Sequence, residues 1–117
     1  MTRRLSFSEA LDAVKEGALV QRAGWNGQNM FIFLVGGSRF EVNRPPLNEI
    51  FNEGTEIEYH GHIDMKTAQG YVVPWVASHA DLLSEDWRII ELADPGDPKS
   101  VANPIGHDGP DPMFGDE

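Results

Sequence analysis

The chain has 117 residues, a formal net charge of −10 and no cysteine. This length allows one domain with a tail, and the lack of cysteine excludes disulfides, thiolate catalysis and cysteine-based zinc sites. An acidic surface repels phosphate backbones, so we expect neither DNA nor RNA as a partner. No apolar run is long enough to span a membrane, and the N-terminus lacks the apolar segment of a signal peptide. A cytosolic protein without membrane contact is therefore predicted.

The first predicted element is a helix over residues 7–16. Ser6 followed three residues later by Glu9 is the pattern of a capping box, in which each residue caps the other. Gly17 suits the position just after the helix, where a left-handed conformation is common. Apolar residues repeat between these ends at helical spacing, so one face of the helix is expected to pack on a sheet.

A hairpin is predicted next, from residues 30–35 and 38–42 joined by Gly36 and Gly37. The two prolines that follow cannot donate to a ladder, so residues 43–52 are predicted to form a loop. A second short helix is predicted over residues 80–83, with Ser78 as its N-cap and Asp81 at the third helical position. The remaining predicted strands are 18–22, 56–59, 62–66, 71–75 and 86–92.

These elements predict an α+β fold in a single domain over residues 1–92. Its N-terminal helix packs on a small, mostly antiparallel sheet, and the second short helix precedes the last strand. Residues 93–117 contain five prolines, six acidic residues and one lysine, without apolar periodicity. Such a segment buries too little apolar surface to offset its ordering entropy, so an acidic, disordered tail is predicted there.

One short stretch resembles an enzyme site, because His60, His62 and Asp64 alternate along a predicted strand. Residues two apart on a strand point to one face, and two imidazoles with a carboxylate can hold a divalent metal. The alternative is that these are exposed polar residues near a turn. Common hydrolase and nucleotide-hydrolase motifs are missing from the sequence.

Three tryptophans form the other candidate constellation. Trp87, between two charged residues on the last strand, is predicted to lie in the core. Trp25 and Trp75 each lie at a strand end beside turn residues, where a ring often stays partly exposed. Glycines on both sides of Trp25, at positions 24 and 27, leave room for a ligand to approach the backbone. Two such rings can anchor a nucleotide-like ligand by stacking, although both can equally be core residues.

The order of several motifs resembles a family of small phage and prophage domains, the second type of Thoeris anti-defence protein. The similar residues run from Leu5 to Leu92, which leaves the predicted tail outside. His62 fits the family pattern, whereas His60 does not, which argues against a paired-histidine site. The motifs are F-S-E-A-L, G-W-N-G, M-F-I-F-L-V-G-G, V-N-R-P-P-L, H-I-D-M-K-T-A-Q-G, V-P-W-V-A-S and D-L-L-S-E-D-W.

The resemblance implies a sponge that is not an enzyme, needs no cofactor and acts in the host bacterial cytoplasm. Members of this family bind cyclic ADP-ribose isomers made by bacterial TIR-domain defence proteins, and keep this signal from its effector without degrading it. The resemblance also implies that some members of the family hold cyclic dinucleotides at a separate site. The family also implies a homotetramer with signal pockets where protomers meet.

Position and resemblance together predict the ligand-binding residues. Trp25 or Trp75 would stack on adenine, and amides would hydrogen-bond to ribose hydroxyls or base edges. Arg44, or Arg22 from a neighbouring copy, would pair with the pyrophosphate through a charge-assisted bond. Purely structural roles are the alternative: residues 43–46 end a strand and begin a loop, and Asp81 caps a helix. The predicted set is Trp25, Asn26, Met30, Asn43, Arg44, Trp75, Ser78 and Asp81.

Two other classes of function stay open at this point. One is a small metal-dependent hydrolase that uses His60, His62 and Asp64. The other is a phage structural or interaction protein that uses its strand edges and its tail.

Overall fold

The computed structural model describes residues 4–25, 29–96 and 102–105, and its α+β fold confirms the predicted class. An N-terminal helix and a mostly antiparallel sheet precede a second short helix and the last strands. The elements are α1 (Phe7–Lys15), β1 (Leu19–Arg22), β2 (Phe31–Val35), β3 (Ser38–Glu41), a 3-10 turn (Leu47–Glu49), β4 (Glu56–Tyr59), β5 (His62–Lys66), β6 (Val72–Pro74), α2 (His79–Leu83), β7 (Trp87–Leu92) and β8 (Ala102–Ile105).

The predicted capping box fixes the start of α1. Glu9 N–H donates to Ser6 Oγ, and Ser6 N–H donates to Glu9 Oε1 at 2.9 Å. Ala10 and Val14 point from this helix into the core, as the apolar spacing predicts. Gly17 follows with a φ of 99°, the left-handed conformation expected after a helix end.

A six-stranded sheet in the order β6-β5-β2-β1-β7-β8 forms the body of the molecule, with every neighbouring pair antiparallel. Helix α1 packs on β1, β2 and β7, and covers one face. The main core lies between them and contains Leu5, Ala10, Val14, Val20, Ile32 and Trp87. A smaller apolar cluster around Phe31 and Ile90 lies on the other face, because side chains alternate along each strand.

The predicted hairpin is wrong, because β2 and β3 do not pair with each other. β2 pairs with β5, and β3 pairs with β4 in a separate two-stranded sheet. Gly37 and Gly61 do not form a turn. They lie where two antiparallel segments of the chain approach each other closely. A Cβ atom on Gly37 would lie 2.8 Å from the carbonyl oxygen of Tyr59, and one on Gly61 would lie 3.1 Å from that of Val35.

The same register runs through both strand pairs, so residues 31–41 and 56–66 form one long antiparallel ribbon. We call β3, β4 and the segment 42–55 between them the arm. Its tip contains the cis bond between Pro45 and Pro46 and the turn Leu47–Glu49, in agreement with the predicted loop. The molecule is accordingly elongated, with extents of 59 × 29 × 23 Å.

The structure adds a strand beyond the predicted end of the domain. Residues 102–105, assigned from the sequence to a disordered tail, pair with β7 from Leu92↔Ala102 to Ile89↔Ile105. Ladder pairing uses backbone groups, which are present in any sequence, so composition gave no sign of this strand. Pro104 is tolerated because β8 is the sheet edge. Other parts of the predicted tail, 97–101 and 106–117, lie outside the described residues.

Candidate functional site

An aromatic cluster lies on the helix-covered face of the sheet, with Trp87 at its centre. Trp25 and Trp75 meet the Trp87 ring edge-on, with ring centroids 5.2 and 6.1 Å away, and Phe7 lies 5.5 Å from it. Trp87 is fully buried, which confirms its predicted core position. Trp25 and Trp75 are half-buried. Each packs against the core and also keeps part of its ring in contact with solvent.

Asp81 accepts hydrogen bonds from two of these indoles. Trp87 Nε1 donates to the Asp81 backbone carbonyl at 3.0 Å, and Trp25 Nε1 donates to Asp81 Oδ1 at 3.4 Å. The polar atom of Trp25 therefore already has a partner in the protein. What this side chain offers to a ligand is the exposed part of its ring, which suits stacking better than hydrogen bonding.

The N-terminus of α2 supplies the Asp81 carboxylate. Ser78 is the N-cap, as predicted: Asp81 N–H donates to Ser78 Oγ at 3.0 Å, and Ser78 N–H donates to Asp81 Oδ2 at 2.9 Å. Asp81 is only 8% exposed. Both predicted ligand-binding residues thus act first as a reciprocal helix cap.

Arg22 joins this cap to the start of β7. Its Nη1 donates to Asp81 Oδ1 at 2.9 Å, and its Nε donates to Asp86 Oδ1 at 3.0 Å. The antiparallel register explains this proximity, because Arg22 lies opposite Trp87 and hence beside Asp86. We call Arg22, Asp81 and Asp86 the carboxylate clamp. Since its arginine already has two carboxylate partners, Arg22 is a poor candidate for binding an anionic ligand.

The clamp holds its groups in their charged forms. Burial alone would raise the pKa of Asp81 and of Asp86, but hydrogen bonds from Ser78, Arg22 and Gly24 outweigh it and lower both. Burial likewise disfavours the Arg22 guanidinium, yet the two carboxylates raise its pKa above the ordinary value. Neither carboxylate is thus poised to donate a proton near neutral pH.

Gly24 serves the clamp, and its backbone is not open to a ligand as the sequence suggested. Its N–H donates to Asp86 Oδ2 at 2.9 Å. A Cβ atom at this position would lie 2.9 Å from the same oxygen, closer than side chains normally approach. A side chain at position 24 would therefore displace this carboxylate and disturb the clamp. Asn26 and Gly27, the next residues of the predicted site, lie outside the described part of the chain.

Met30 lies at the same end of the sheet, just before β2. Its backbone carbonyl accepts a hydrogen bond at 2.8 Å from Nε2 of Gln21, a buried residue of β1. Arg88 Nε donates to Gln21 Oε1 at 2.9 Å from the neighbouring strand. The hydrogen bond from β1 therefore holds the backbone of Met30 in place. Its half-buried side chain remains partly exposed to solvent.

Asn43 and Arg44 lie on the arm, apart from the aromatic cluster. They line a groove of about 350 Å³ that also contains Glu41, Pro45 and Leu47 among its walls. The arm leaves β2 at the end opposite the Trp25 turn. At about 3.3 Å per residue, the path from position 30 to position 43 spans roughly 40 Å. The predicted site is thus split within one chain into a cluster at the body and a groove at the arm tip.

The histidine constellation does not assemble as a metal site. His62 Nε2 lies 3.4 Å from Asp64 Oδ2, and its Nδ1 lies 3.3 Å from the backbone carbonyl of His60. Both ring nitrogens of His62 therefore face protein atoms. Among the residues that the structure describes, no group of three or more metal-ligating side chains is brought together. Within the same residues, no helix combines the length and apolar character needed to cross a membrane.

Sequence reasoning missed Asp86 of the carboxylate clamp and Phe7 of the aromatic cluster. Asp86 is the acceptor that ties Arg22 and Gly24 together, and Phe7 packs on both Trp75 and Trp87. A signal for Asp86 exists only once β1 and β7 are known to pair, because the register sets the carboxylate beside Arg22. Phe7 lies on α1, and its aromatic neighbours Trp75 and Trp87 are distant in sequence.

Comparison with known proteins now decides the family. Residues 5–90 match the sequence model of the Thoeris anti-defense 2-like domain. A relative named Thoeris anti-defense 2, from Bacillus phage SP01, is 38% identical over 91 residues, which cover 77% of this chain and 99% of the relative. The chain belongs to the Thoeris anti-defense 2-like family. The resemblance seen in the sequence is confirmed, and the family supports a role in phage anti-defence. The matched region includes both the aromatic cluster and the arm.

Proposed function

We propose that this family member binds and sequesters a cyclic ADP-ribose-type or cyclic dinucleotide signal without degrading it, and so blocks a bacterial anti-phage defence in the host cytoplasm. The observation that carries the proposal is the aromatic cluster, in which Trp25 and Trp75 keep exposed ring surface around the buried Trp87. Stacking of a base on an aromatic ring contributes about 1–3 kcal/mol, and a ligand with adenine or guanine rings offers such a base.

Rigid support makes these rings suitable for binding. Trp25 is held by its edge-on contact with Trp87 and by its N–H bond to Asp81, so little side-chain entropy is left to lose when a ligand binds. Trp75 packs on Phe7 and Trp87 in the same way. Ser78 and Asp81, already bound to each other, would contribute through their remaining acceptor capacity towards ribose hydroxyls.

The arm groove supplies a positive charge that the body cluster lacks. Arg44 lines the groove, and its guanidinium would pair with the pyrophosphate through charge-assisted bonds, with Asn43 reading a ribose or base edge. Arg22, the other candidate from the sequence, is held by Asp81 and Asp86. Met30 and Asn26 stay predicted contacts at the body end.

A homotetramer would account for the split between the two groups of residues. In one chain the groove and the aromatic cluster lie at opposite ends of a long ribbon. Copies arranged around symmetry axes can present the groove of one protomer to the cluster of another. We therefore propose ligand pockets where protomers meet, formed by four copies of the chain.

Sequestration requires tight binding and no chemical reaction, and the ionisation state of the clamp carboxylates is consistent with this. Asp81 and Asp86 are hydrogen-bonded, ionised and paired with one arginine. An acid–base pair works best with a pKa near the working pH, whereas these carboxylates have their pKa values shifted further below it.

Analysis of the retained ligand tests the proposal. The full chain is incubated with lysate from cells whose TIR-domain defence has been activated, then washed, heated and analysed by mass spectrometry. We expect an intact cyclic nucleotide in the heated fraction and none from a sample of the same protein denatured before incubation. Recovery of a cleaved product would show an enzyme instead. An empty fraction, with the nucleotide present in the lysate, would favour a structural or interaction protein.

A further inference from the structure

A tight turn at the end of β1 carries Trp25. The Trp25 N–H donates to the carbonyl of Arg22 at 3.2 Å, which is the closing hydrogen bond of a β-turn. Ala23 and Gly24 are the two central residues of this turn. The Ala23 N–H donates to the backbone carbonyl of Asp86, and the Gly24 N–H donates to Asp86 Oδ2, both at 2.9 Å. One residue of the neighbouring segment therefore accepts hydrogen bonds from both central residues of the turn.

The Asp86 carboxylate adds a contact that the sheet does not provide. The ladder between β1 and β7 ends at the pair Arg22↔Trp87, and the bond from Ala23 uses a backbone carbonyl, which any residue at position 86 would supply. Only the carboxylate reaches Gly24, the residue directly before Trp25. Gly24 is exposed, so water can replace this bond at little cost in stability. The main consequence of the bond is therefore a fixed turn geometry.

Asp86 also acts on the indole end of Trp25, through Arg22. Arg22 Nε donates to Asp86 Oδ1 at 3.0 Å, and Arg22 Nη1 donates to Asp81 Oδ1 at 2.9 Å. The same Asp81 oxygen accepts the hydrogen bond from Trp25 Nε1. Because a guanidinium group is planar and rigid, its bond to Asp86 helps to set its position at Asp81. Trp25 is thus held at its backbone and at its indole nitrogen, and Asp86 acts on both.

The two partly exposed tryptophans differ in this support. Trp25 meets the Trp87 ring at an interplanar angle of 79°, so a rotation of its turn would change the direction in which its exposed face points. Trp75 is held by packing on Phe7 and Trp87, and by a backbone bond to Ile63 at 3.1 Å. Loss of the Asp86 carboxylate should therefore disturb one ring and leave the other in place.

We propose that Asp86 is a positioning residue for nucleotide binding, which orients the Trp25 ring for stacking without touching the ligand. This role rests on the proposed function, since it concerns the same aromatic cluster. A ring that is already ordered loses less freedom when a ligand binds. Removal of the carboxylate should weaken binding about three- to tenfold, and the whole of this loss should pass through Trp25.

A double-mutant cycle tests this dependence. The full chain and its variants are titrated by calorimetry with a purified cyclic ADP-ribose isomer. Asp86→Ala should bind about three- to tenfold more weakly than wild type. In a Trp25→Ala background, the same substitution should change the affinity less than about twofold. Glu85→Ala removes one exposed carboxylate next to Asp86 and is the control matched in charge; it should bind as wild type does.

Two results of the cycle would contradict the role. Equal losses from Asp86→Ala in the two backgrounds would show that Asp86 acts on the fold or on the overall charge, and not through Trp25. Unchanged affinity of Asp86→Ala would show that the carboxylate does not position the ring. Failure of the wild type to bind any isomer or cyclic dinucleotide is a different result, because it overturns the proposed function together with this role.

Nuclear magnetic resonance tests the positioning without any nucleotide. The chain has three tryptophans, and the indole N–H signal of Trp25 is identified by its loss in Trp25→Phe. Asp86→Ala should shift and broaden this signal and leave that of Trp75 in place. Unchanged Trp25 and Trp75 signals in folded Asp86→Ala, or equal changes in both, would overturn the role.

Gly24→Ala disturbs the same contact from the other side, and serves if Asp86→Ala does not fold. Its added Cβ atom would lie 2.9 Å from Asp86 Oδ2 and displace the carboxylate. We expect the same selective change in the Trp25 signal and a similar loss of affinity. A folded Gly24→Ala with the wild-type Trp25 signal and affinity would contradict the role given to Asp86.

Discussion

The aromatic residues of the body cluster and those of the arm differ in how deeply they are buried. In the body, Trp87 is fully buried and is surrounded by three aromatic rings from the same chain. In the arm, Phe40 and Tyr59 lie on a two-stranded ribbon and are 39% and 52% exposed. Aromatic residues in the body are thus expected to stabilise the fold strongly, whereas those in the arm are expected to contribute much less to the free energy of unfolding. The predictions below test this difference.

The largest effect is expected at the centre of the cluster. Trp87→Ala removes a fully buried ring and leaves a cavity beneath Trp25, Trp75 and Phe7, which should lower the free energy of unfolding by about 3–5 kcal/mol. Urea denaturation measures this loss. Tyr59→Ala on the arm is the comparison, and at dilutions where copies dissociate it should cost far less. Equal losses at the two sites would remove the distinction between body and arm.

The clamp should have the next largest effect. Asp81→Ala removes the acceptor of the Ser78 N–H, one half of the capping box of α2. It also leaves Arg22 and the Trp25 N–H without their shared acceptor. We expect a total loss of about 2–3 kcal/mol in the same urea experiment. Glu85→Ala, an exposed acidic residue close by in sequence, should stay within about 0.5 kcal/mol of wild type. A similar loss of unfolding free energy for both variants would show that the clamp contributes little to stability.

Acid should weaken the body through the same carboxylates. Asp81 and Asp86 have folded-state pKa values lowered from the ordinary value of 3.8. Such groups stabilise the fold above their unfolded-state pKa, and this contribution disappears as the pH falls through the folded-state pKa. Melting temperature should therefore hold between about pH 7 and 5 and decrease below about pH 4. Asp86→Asn should show a shallower decrease, and an identical pH profile would contradict the role given to the clamp.

The smallest effect is expected at an exposed ion pair of the arm. Arg39 Nη2 and Glu58 Oε2 are 3.9 Å apart, and both side chains are about two-thirds exposed. Exposed ion pairs contribute little, so Glu58→Ser should change the free energy of unfolding by less than about 0.5 kcal/mol. A loss above about 1 kcal/mol would mean that this ion pair stabilises the arm more than an exposed pair normally does.

Local patterns predicted the helices and most strands correctly. Ser6 with Glu9, and Ser78 with Asp81, are caps whose chemistry depends only on residues three apart, and both are present. Trp87 was assigned correctly to the core from its position on a strand. These features are local, so a single sequence carries the information needed to find them.

Pairing between distant strands was beyond the sequence. Gly36 and Gly37 fit a hairpin turn as well as they fit a close crossing with His60 and Gly61, and only the partner strand decides between them. The same holds for the clamp, since Asp86 meets Arg22 only through the register of β1 and β7. Strand β8 was missed because edge pairing uses the backbone. The sequence therefore predicted most of the elements, but not the strand pairing or the contacts that bring Phe7 beside Trp87 and Asp86 beside Arg22.

Titration calorimetry with a purified cyclic ADP-ribose isomer tests the central claim most directly. Trp25 presents exposed ring surface at the body end of the candidate site, so Trp25→Ala should bind about ten- to hundredfold more weakly than wild type. Urea denaturation of the same samples shows that both proteins are folded at the titration temperature. Tight binding by wild type with this loss is the predicted result. Equal affinity of folded Trp25→Ala and wild type, or no heat with wild type for any isomer or cyclic dinucleotide, would contradict the account.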